Sequence, residues 1–142
     1  MTFLLDVNVL IALIDPAHVS HDLAHLWFEA EGRHAWATCP ITENGVIRII
    51  GAPRYPGSPG SPAAVARILA AMRQLPGHTF WPDAISLFEA PADSSLILSP
   101  GQVTDTYLLA LAVHRGGRLA TFDRHLSPRA VSGGEAALRQ IG

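Results

Sequence analysis

Four acidic residues stand where carboxylates can do chemistry in a chain of alternating strands and helices: Asp6, Glu43, Asp105 and Asp123. Asp6 ends the apolar run that begins at Phe3, and Asp123 directly follows a later apolar run. The other two fall in the first turns of predicted helices. Four close carboxylates repel one another and need protons or a cation. Hard oxygen ligands suit Mg²⁺ or Mn²⁺, so their convergence predicts a metal site.

Each carboxylate taken alone also has an ordinary structural explanation. The helix dipole favours acidic residues in first turns, which accounts for Glu43 and Asp105 separately. Asp123 can be a turn residue before Arg124. Asp6 is the hardest to explain in this way, because it ends a strand that the apolar run places in the core.

Hydrophobic spacing predicts the elements that position these residues. The segment 51–62 contains seven Gly or Pro in twelve residues and is predicted to be a loop. Strands are predicted at 3–7, 35–39, 78–81, 118–122 and 138–141, and helices at 9–14, 18–31, 41–50, 62–75, 85–90 and 103–115.

This alternation predicts an α/β fold: a single domain over residues 1–142, with three α/β/α layers and a central, mainly parallel sheet of four to five strands. Ligands of such sheets bind beyond the carboxyl ends of the strands. Asp105 joins the other acids there if its helix begins at that edge.

The amino-acid composition excludes several classes of protein. The 142 residues include 10 Arg, 12 acidic residues and no Lys, for a net charge of −2. With 49% hydrophobic and 15% charged residues, intrinsic disorder is excluded. The single cysteine, Cys39, excludes a disulfide framework and a cysteine-rich zinc site. Without the four candidate site acids the remaining charge is positive, so the field over a metal-loaded site can attract phosphate.

The sequence predicts a cytoplasmic protein without a membrane span. The longest early apolar run, Val9–Ile14, is far shorter than the ~20 residues that cross a bilayer. No Arg or Lys precedes Arg33, so we expect no basic segment of an export signal.

Four motifs in order resemble the PIN-domain ribonucleases, and among them the VapC toxins of bacterial toxin–antitoxin pairs. They are Leu4-Leu5-Asp6-Val7-Asn8-Val9-Leu10, Thr42-Glu43-Asn44-Gly45, Thr104-Asp105-Thr106-Tyr107-Leu108-Leu109-Ala110 and Ala120-Thr121-Phe122-Asp123. The resemblance covers nearly the whole chain and implies metal-dependent RNA cleavage, a homodimer and a separate antitoxin protein.

The resemblance also implies roles for individual residues. Asp6, Glu43, Asp105 and Asp123 match the acidic positions of the family, and Asn8 and Thr121 match polar positions that support them. We expect Asp6, Asp105 and Asp123 to bind Mg²⁺ or Mn²⁺ directly. Glu43 is expected to bind through water or to position the nucleophile, while Asn8 and Thr121 orient the ligands by hydrogen bonds.

Arginine guanidinium groups are the candidates for holding RNA, because their forked geometry matches phosphate. Arg48 lies about one turn beyond Glu43, and Arg124 is adjacent to Asp123. Arg54 and Tyr55 in the Gly/Pro-rich loop are further candidates for contacts with a phosphate or a base. Ordinary solvated arginines and a passive loop remain the alternative interpretation.

Two other functions fit parts of the sequence. The first strand also resembles that of haloacid-dehalogenase-type phosphatases, in which Asp6 would be the nucleophile; however, Asn8 stands where a second Asp is needed, and the usual lysine is missing. A non-catalytic module that binds metal, RNA or protein is the other alternative. Cleavage of RNA and its metal dependence separate these functions.

His18, His21 and His25 imitate a zinc-binding pattern. The predicted apolar face of their helix consists of Val19, Leu23, Leu26, Trp27 and Ala30. At about 100° per residue the histidines project on the opposite side, so we expect them to be solvated with at most adventitious affinity for metals. The apolar helices from Val103 and Ile41 are candidate surfaces for the homodimer that the family resemblance implies.

Overall fold

A computed structural model describes all residues, 1–142. Its centre is a five-stranded sheet in which every neighbouring pair of strands is parallel, in the order β3-β2-β1-β4-β5. The strands are β1 (Phe3–Leu5), β2 (Trp36–Thr38), β3 (His78–Phe80), β4 (Arg118–Thr121) and β5 (Leu138–Gln140). The predicted parallel α/β sheet is confirmed.

Five helices connect the strands: α1 (Val7–Ile14), α2 (His21–Ala30), α3 (Pro40–Ile50), α4 (Pro62–Arg73) and α5 (Val103–His114). Their side chains form two cores, one on each face of the sheet. In β1, Phe3 and Leu5 join the core that contains α1–α4, whereas Leu4 joins the core that contains α5. No helix combines the length and the apolar character that a membrane crossing requires.

The predicted helix at 85–90 is wrong, because this segment is irregular. The Ser86 hydroxyl accepts a hydrogen bond from the Phe88 N–H, and the Glu89 carboxylate accepts one from the Ser86 N–H. These side chains satisfy backbone groups that a helix would otherwise bond. Pro91 also disfavours the helical conformation at the residue before it.

The predicted core face of α2 is right for Trp27 but wrong for its aliphatic residues. Val19 and Leu26 are 97% and 71% exposed, while Ala24, Trp27 and Phe28 are buried. Trp27 packs edge-to-face on the Phe3 ring, and Phe28 packs in the same way on Trp36. Aromatic pairs bury more apolar area than the aliphatic stripe offers, so they determine the rotation of the helix.

This rotation brings His21 and His25 within hydrogen-bonding distance of the end of α1. His21 Nδ1 lies 2.7 Å from the Ala12 carbonyl oxygen, and His25 Nε2 lies 2.8 Å from the Leu13 carbonyl oxygen. These carbonyls belong to the last turn of α1 and have no partner within the helix. The two histidines therefore cap α1, and the expectation of a solvated histidine face holds only in part, because His25 is exposed while its ring still reaches a carbonyl of α1.

Candidate active site

A cavity of about 980 Å³ lies beyond the carboxyl ends of β1 and β4. The chain leaves β1 toward β2 and β3 and later returns to place β4 on the other side of β1, so the strand order changes direction at this point. Such a switch point is where open parallel sheets bind ligands. The polar residues that line the cavity are Asp6, Asn8, Asn44, Arg48, Thr104, Asp105 and Asp123.

Asp6 is fixed in the cavity wall by hydrogen bonds to both carboxylate oxygens. It is the N-cap of α1, where its Oδ1 accepts from the Val7 N–H at 2.8 Å. Its Oδ2 accepts from the Thr121 hydroxyl at 2.8 Å, and this threonine is fully buried. The Thr121 oxygen in turn accepts from the Asp123 N–H at 3.0 Å. One hydroxyl at the end of β4 therefore positions both Asp6 and the backbone of Asp123.

The aspartates of the cavity crowd negative charge into a partly buried space. Burial first, and then the charges of Asp6 and Asp123, raise the pKa of Asp105 to about 6. Burial also raises the pKa of Asp6; the hydrogen bonds from Thr121 and Val7 oppose this shift, and Asp123 adds to it. We call the space around these three carboxylates the aspartate cavity.

The donor set of the aspartate cavity fits a divalent cation of the hard, oxygen-preferring kind. A cation there would stabilise the charged form of Asp105, whose pKa is raised by burial and, to a smaller extent, by Asp6 and Asp123. No three His, Cys, Asp or Glu side chains are already drawn together as a coordination shell.

Glu43 does not line the aspartate cavity. Its carboxylate accepts a hydrogen bond from the Thr38 hydroxyl at 2.7 Å and lies 3.4 Å from the Arg73 guanidinium. His78 Nε2 is 2.8 Å from the same hydroxyl oxygen. Glu43, Thr38, Arg73 and His78 form a separate group beside the last residue of β2 and the first residue of β3, which we call the Glu43 cluster. Three of the four acids expected to converge thus line one cavity, and Glu43 does not.

The rotation of α3 explains why Glu43 is left out. Gly45 packs against α1 so closely that a Cβ there would lie 2.9 Å from Val7 Cγ2. Glu43 precedes Gly45 by two residues, or about 200° around the helix, and therefore lies on the side away from α1. That side faces α4 and its last residue, Arg73, so Glu43 finds a partner there.

The two arginines expected to contact RNA differ in position. Arg48 lines the cavity and forms no ion pair, although three aspartates line the same space. Arg124 does not line it, and its Nη2 donates to the Gly142 carbonyl at 3.1 Å. Arg48 is therefore the arginine of this pair that is free to meet a phosphate at the cavity.

The loop residues expected to contact RNA lie elsewhere too. The Tyr55 hydroxyl donates to the Asp15 carboxylate, which holds the Asp15 pKa below its usual value. Burial, reinforced by Asp15, raises the Tyr55 pKa to about 12. Neither Tyr55 nor Arg54 lines the cavity. Asn8 does line it, but its amide bonds no site carboxylate, in contrast to Thr121.

Sequence reasoning singled out neither Thr104 nor Asn44 as a site residue, although both line the cavity. Thr104 directly precedes Asp105, and Asn44 directly follows Glu43. This adjacency to candidate acids was the signal that could have identified them. The apolar part of the wall was also missed; it consists of Val7, Ile41, Ile47, Ile49 and Pro62.

Comparisons with known proteins show the family of this chain. A family model described as the PIN domain matches residues 3–131. The chain is 46% identical over 134 residues to "Ribonuclease VapC44" of Mycobacterium tuberculosis, covering 94% of each chain. It is 47% identical over 134 residues to "Ribonuclease VapC39" of the same organism, covering 94% of this chain and 96% of the relative. "Ribonuclease VapC29", also from that organism, is 41% identical over 128 residues, covering 89% and 90%.

Proposed function

This chain belongs to the PIN-domain family, and from that membership we propose that it is a metal-dependent endoribonuclease acting as the toxin of a toxin–antitoxin pair. The observation that carries the proposal is the aspartate cavity. Asp6, Asp105 and Asp123 come from three different elements and face one space at the switch point of the sheet. Relatives that span nearly the same length are named ribonucleases.

The proposed reaction is hydrolysis of an RNA phosphodiester bond. Asp6, Asp105 and Asp123 would hold one or two Mg²⁺ or Mn²⁺ ions. When bound, such an ion polarises the scissile phosphate and offsets the charge that develops on the leaving oxygen. Thr121 keeps Asp6 in one orientation by donating to its Oδ2. Arg48 contributes an unpaired positive charge beside the carboxylates, where the RNA backbone would approach.

Glu43 has a different place in this proposal from the one its sequence position suggested. Its carboxylate is engaged by Thr38 and Arg73, so we propose that it fixes α3 against α4. It then acts on the site only through the position of the helix that carries Asn44 and Arg48. Metal binding by the other three carboxylates does not require it.

We also propose a cognate antitoxin protein that blocks the aspartate cavity, a homodimer and a cytoplasmic location, as the family implies. Growth arrest on induced expression, relieved by co-expression of an antitoxin, tests the first of these. Sedimentation of the purified protein tests the dimer. A single domain over residues 1–142 predicts one cooperative unfolding transition.

The test of the catalytic proposal is cleavage of end-labelled RNA by the purified protein in Mg²⁺ or Mn²⁺. We expect EDTA to stop cleavage and added metal to restore it. Asp105→Asn should abolish cleavage, whereas Asp22→Asn, an exposed aspartate on α2, should leave it unchanged. Equal cleavage in EDTA contradicts metal dependence, and cleavage that survives in Asp105→Asn contradicts the site.

Two other outcomes would support the alternative functions. Binding of metal with no cleavage of any RNA indicates a non-catalytic module. An aspartyl-phosphate trapped on Asp6 indicates the phosphatase reaction. The PIN-domain match and the hydrogen bonds on both oxygens of Asp6 give that reaction no support.

A further inference from the structure

One face of α3 forms a wall of the aspartate cavity. Ile41, Asn44 and Arg48 lie three and four residues apart and all line the cavity. Side chains at this spacing stack along a single helix face. The face therefore extends the site away from the carboxylates, over the roughly 10 Å that seven residues of helix span.

The polar groups on this face have no partners within the protein. Asn44 is exposed, and its amide takes part in none of the side-chain hydrogen bonds of the chain, which include those of the neighbouring residues Thr42 and Glu43. Arg48 is exposed and forms no ion pair. An amide offers donors and an acceptor side by side, and a guanidinium offers only donors. The face thus presents one group suited to a base edge and one suited to a phosphate.

The surroundings of these polar groups are apolar. Ile41, Ile47 and Ile49 are half-buried and contribute to the same wall, with Pro62 of α4 beside them. A nucleobase has apolar faces and a polar edge, which is the combination that this wall complements. Phosphate alone, by contrast, gains nothing from three isoleucines.

Gly45 keeps this wall continuous with the carboxylates. Because it lacks a Cβ, α3 approaches Val7 in the first turn of α1, directly after Asp6. A side chain at this position would push α3 away from α1, since the added Cβ would lie 2.9 Å from Val7 Cγ2. The close approach places Asn44 in the same cavity as Asp6.

We propose that the α3 wall is a nucleobase subsite in which Asn44 hydrogen-bonds the edge of a nucleotide next to the scissile phosphate. Arg48 holds an adjoining phosphate, and the isoleucines contact the base. This inference rests on the proposed ribonuclease function and deepens it by assigning sequence preference to one residue. A base can enter the subsite only after leaving its stack, so the substrate is unpaired RNA.

The first arm of the test compares one RNA sequence as a single strand and as a perfect duplex, in the same Mn²⁺ or Mg²⁺ buffer. We expect cleavage of the single strand to be at least about 10-fold faster. Equal cleavage of both forms overturns the subsite while leaving the ribonuclease function intact. If neither form is cut, the ribonuclease function fails and the subsite fails with it.

The second arm sequences the cut sites in a randomised single-stranded RNA pool for wild type, Asn44→Leu and Arg67→Leu. Leucine is close to asparagine in shape but has no hydrogen-bonding groups. Arg67 is an exposed residue of α4 outside the cavity and serves as the control for a new surface leucine. For wild type and the control we expect a base preference at one position flanking the cut.

In Asn44→Leu this preference should fall, with kcat/KM for the favoured sequence reduced by about 10-fold to 100-fold and disfavoured sequences little changed. An unchanged preference, or an equal loss on all sequences, overturns the assignment of Asn44. Sedimentation of the same variants covers one further outcome. If Asn44→Leu changes the oligomeric state together with activity, the wall is an interface between copies of the chain, and the subsite is wrong.

Discussion

The aspartate cavity and the Glu43 cluster lie at the same edge of one sheet, yet their charges are balanced in opposite ways. In the Glu43 cluster, an arginine and a hydroxyl satisfy the carboxylate. In the aspartate cavity, three carboxylates share a space without an ion pair, and the pKa of Asp105 is raised to about 6. A position at the carboxyl edge therefore does not by itself make an acid a metal ligand; the acids proposed as ligands are those without an ion pair.

His78 belongs to the Glu43 cluster and shows how the charges of that cluster are balanced. Burial and the nearby Arg73 lower the pKa of His78, while Glu43 opposes this shift. With the Thr38 proton directed to Glu43, a neutral His78 can donate from Nε2 to the Thr38 oxygen. The Glu43 cluster is thus a hydrogen-bonded network that stabilises the fold. In the aspartate cavity, by contrast, the carboxylates repel one another, and a bound cation would relieve this repulsion.

The largest expected difference between the two regions is in catalysis. Asp6→Asn should lower the cleavage rate by about 1000-fold or more, because it removes a charge that holds the metal. Glu43→Gln should lower it by less than about 10-fold, since the amide still accepts from Thr38. Initial rates on one RNA substrate provide the comparison, with circular dichroism to show that both variants fold. Equal losses in the two variants would place Glu43 in the metal site.

The next effect concerns the hydroxyl that joins β4 to Asp6. Thr121→Val keeps the shape of the buried side chain but removes the hydrogen bonds to Asp6 and to the Asp123 N–H. We expect metal affinity or kcat to fall by about 10-fold to 100-fold. Thr121→Ser should restore most of the loss, which distinguishes positioning by the hydroxyl from simple packing. If the serine variant is as impaired as the valine variant, the methyl group is the important part of Thr121.

A smaller effect should appear in stability when the Glu43 cluster is opened. Glu43→Ala leaves the buried Thr38 hydroxyl without its acceptor and Arg73 without its ion pair. The free energy of unfolding should fall by about 1–3 kcal/mol. Urea unfolding measures this, and calorimetric titration should show Mn²⁺ affinity within a few-fold of wild type. If Glu43→Ala lost Mn²⁺ binding at unchanged stability, Glu43 would belong to the metal site and not to a network that stabilises the fold.

The smallest expected effect is the pH dependence of the metal-free protein. The pKa of Asp105 is about 6 in the folded state and near the ordinary 3.8 in the unfolded state, so the folded protein binds its proton more tightly. The free energy of unfolding should therefore fall as pH rises from about 4 to 6 and stay lower above that range. For a half-buried group we expect a loss of about 1 kcal/mol.

Asp105→Asn should lack this part of the pH dependence, because its side chain does not titrate. The difference between the two unfolding curves isolates it from Asp15 and Glu31, whose lowered pKa values act in the opposite direction. Saturating Mg²⁺ should suppress the loss in wild type. Parallel curves for the two proteins at all pH values would contradict the crowding of charge in the cavity.

Local pattern was sufficient for most of the fold. Apolar runs and turn residues predicted every strand and every α-helix of the structure, since hydrophobic period and Gly or Pro breaks act within a few residues. They failed at 85–90, where Ser86 and Glu89 hydrogen-bond the backbone in place of a helical ladder. They failed again for the face of α2, because two apolar stripes competed and only the aromatic pairings with Phe3 and Trp36 decided between them.

For the site, the sequence by itself determined that Asp6 and Asp123 follow parallel strands and therefore meet at one edge of the sheet. Only the tertiary structure decided that Asp105 joins them and that Glu43 does not. The rotation of a helix about its axis depends on the surfaces packed against it, here Val7 against Gly45. No local spacing contains that information, because the partner of Gly45 lies 38 residues away in the chain and the partner of Glu43, Arg73, lies 30 residues away on the opposite side.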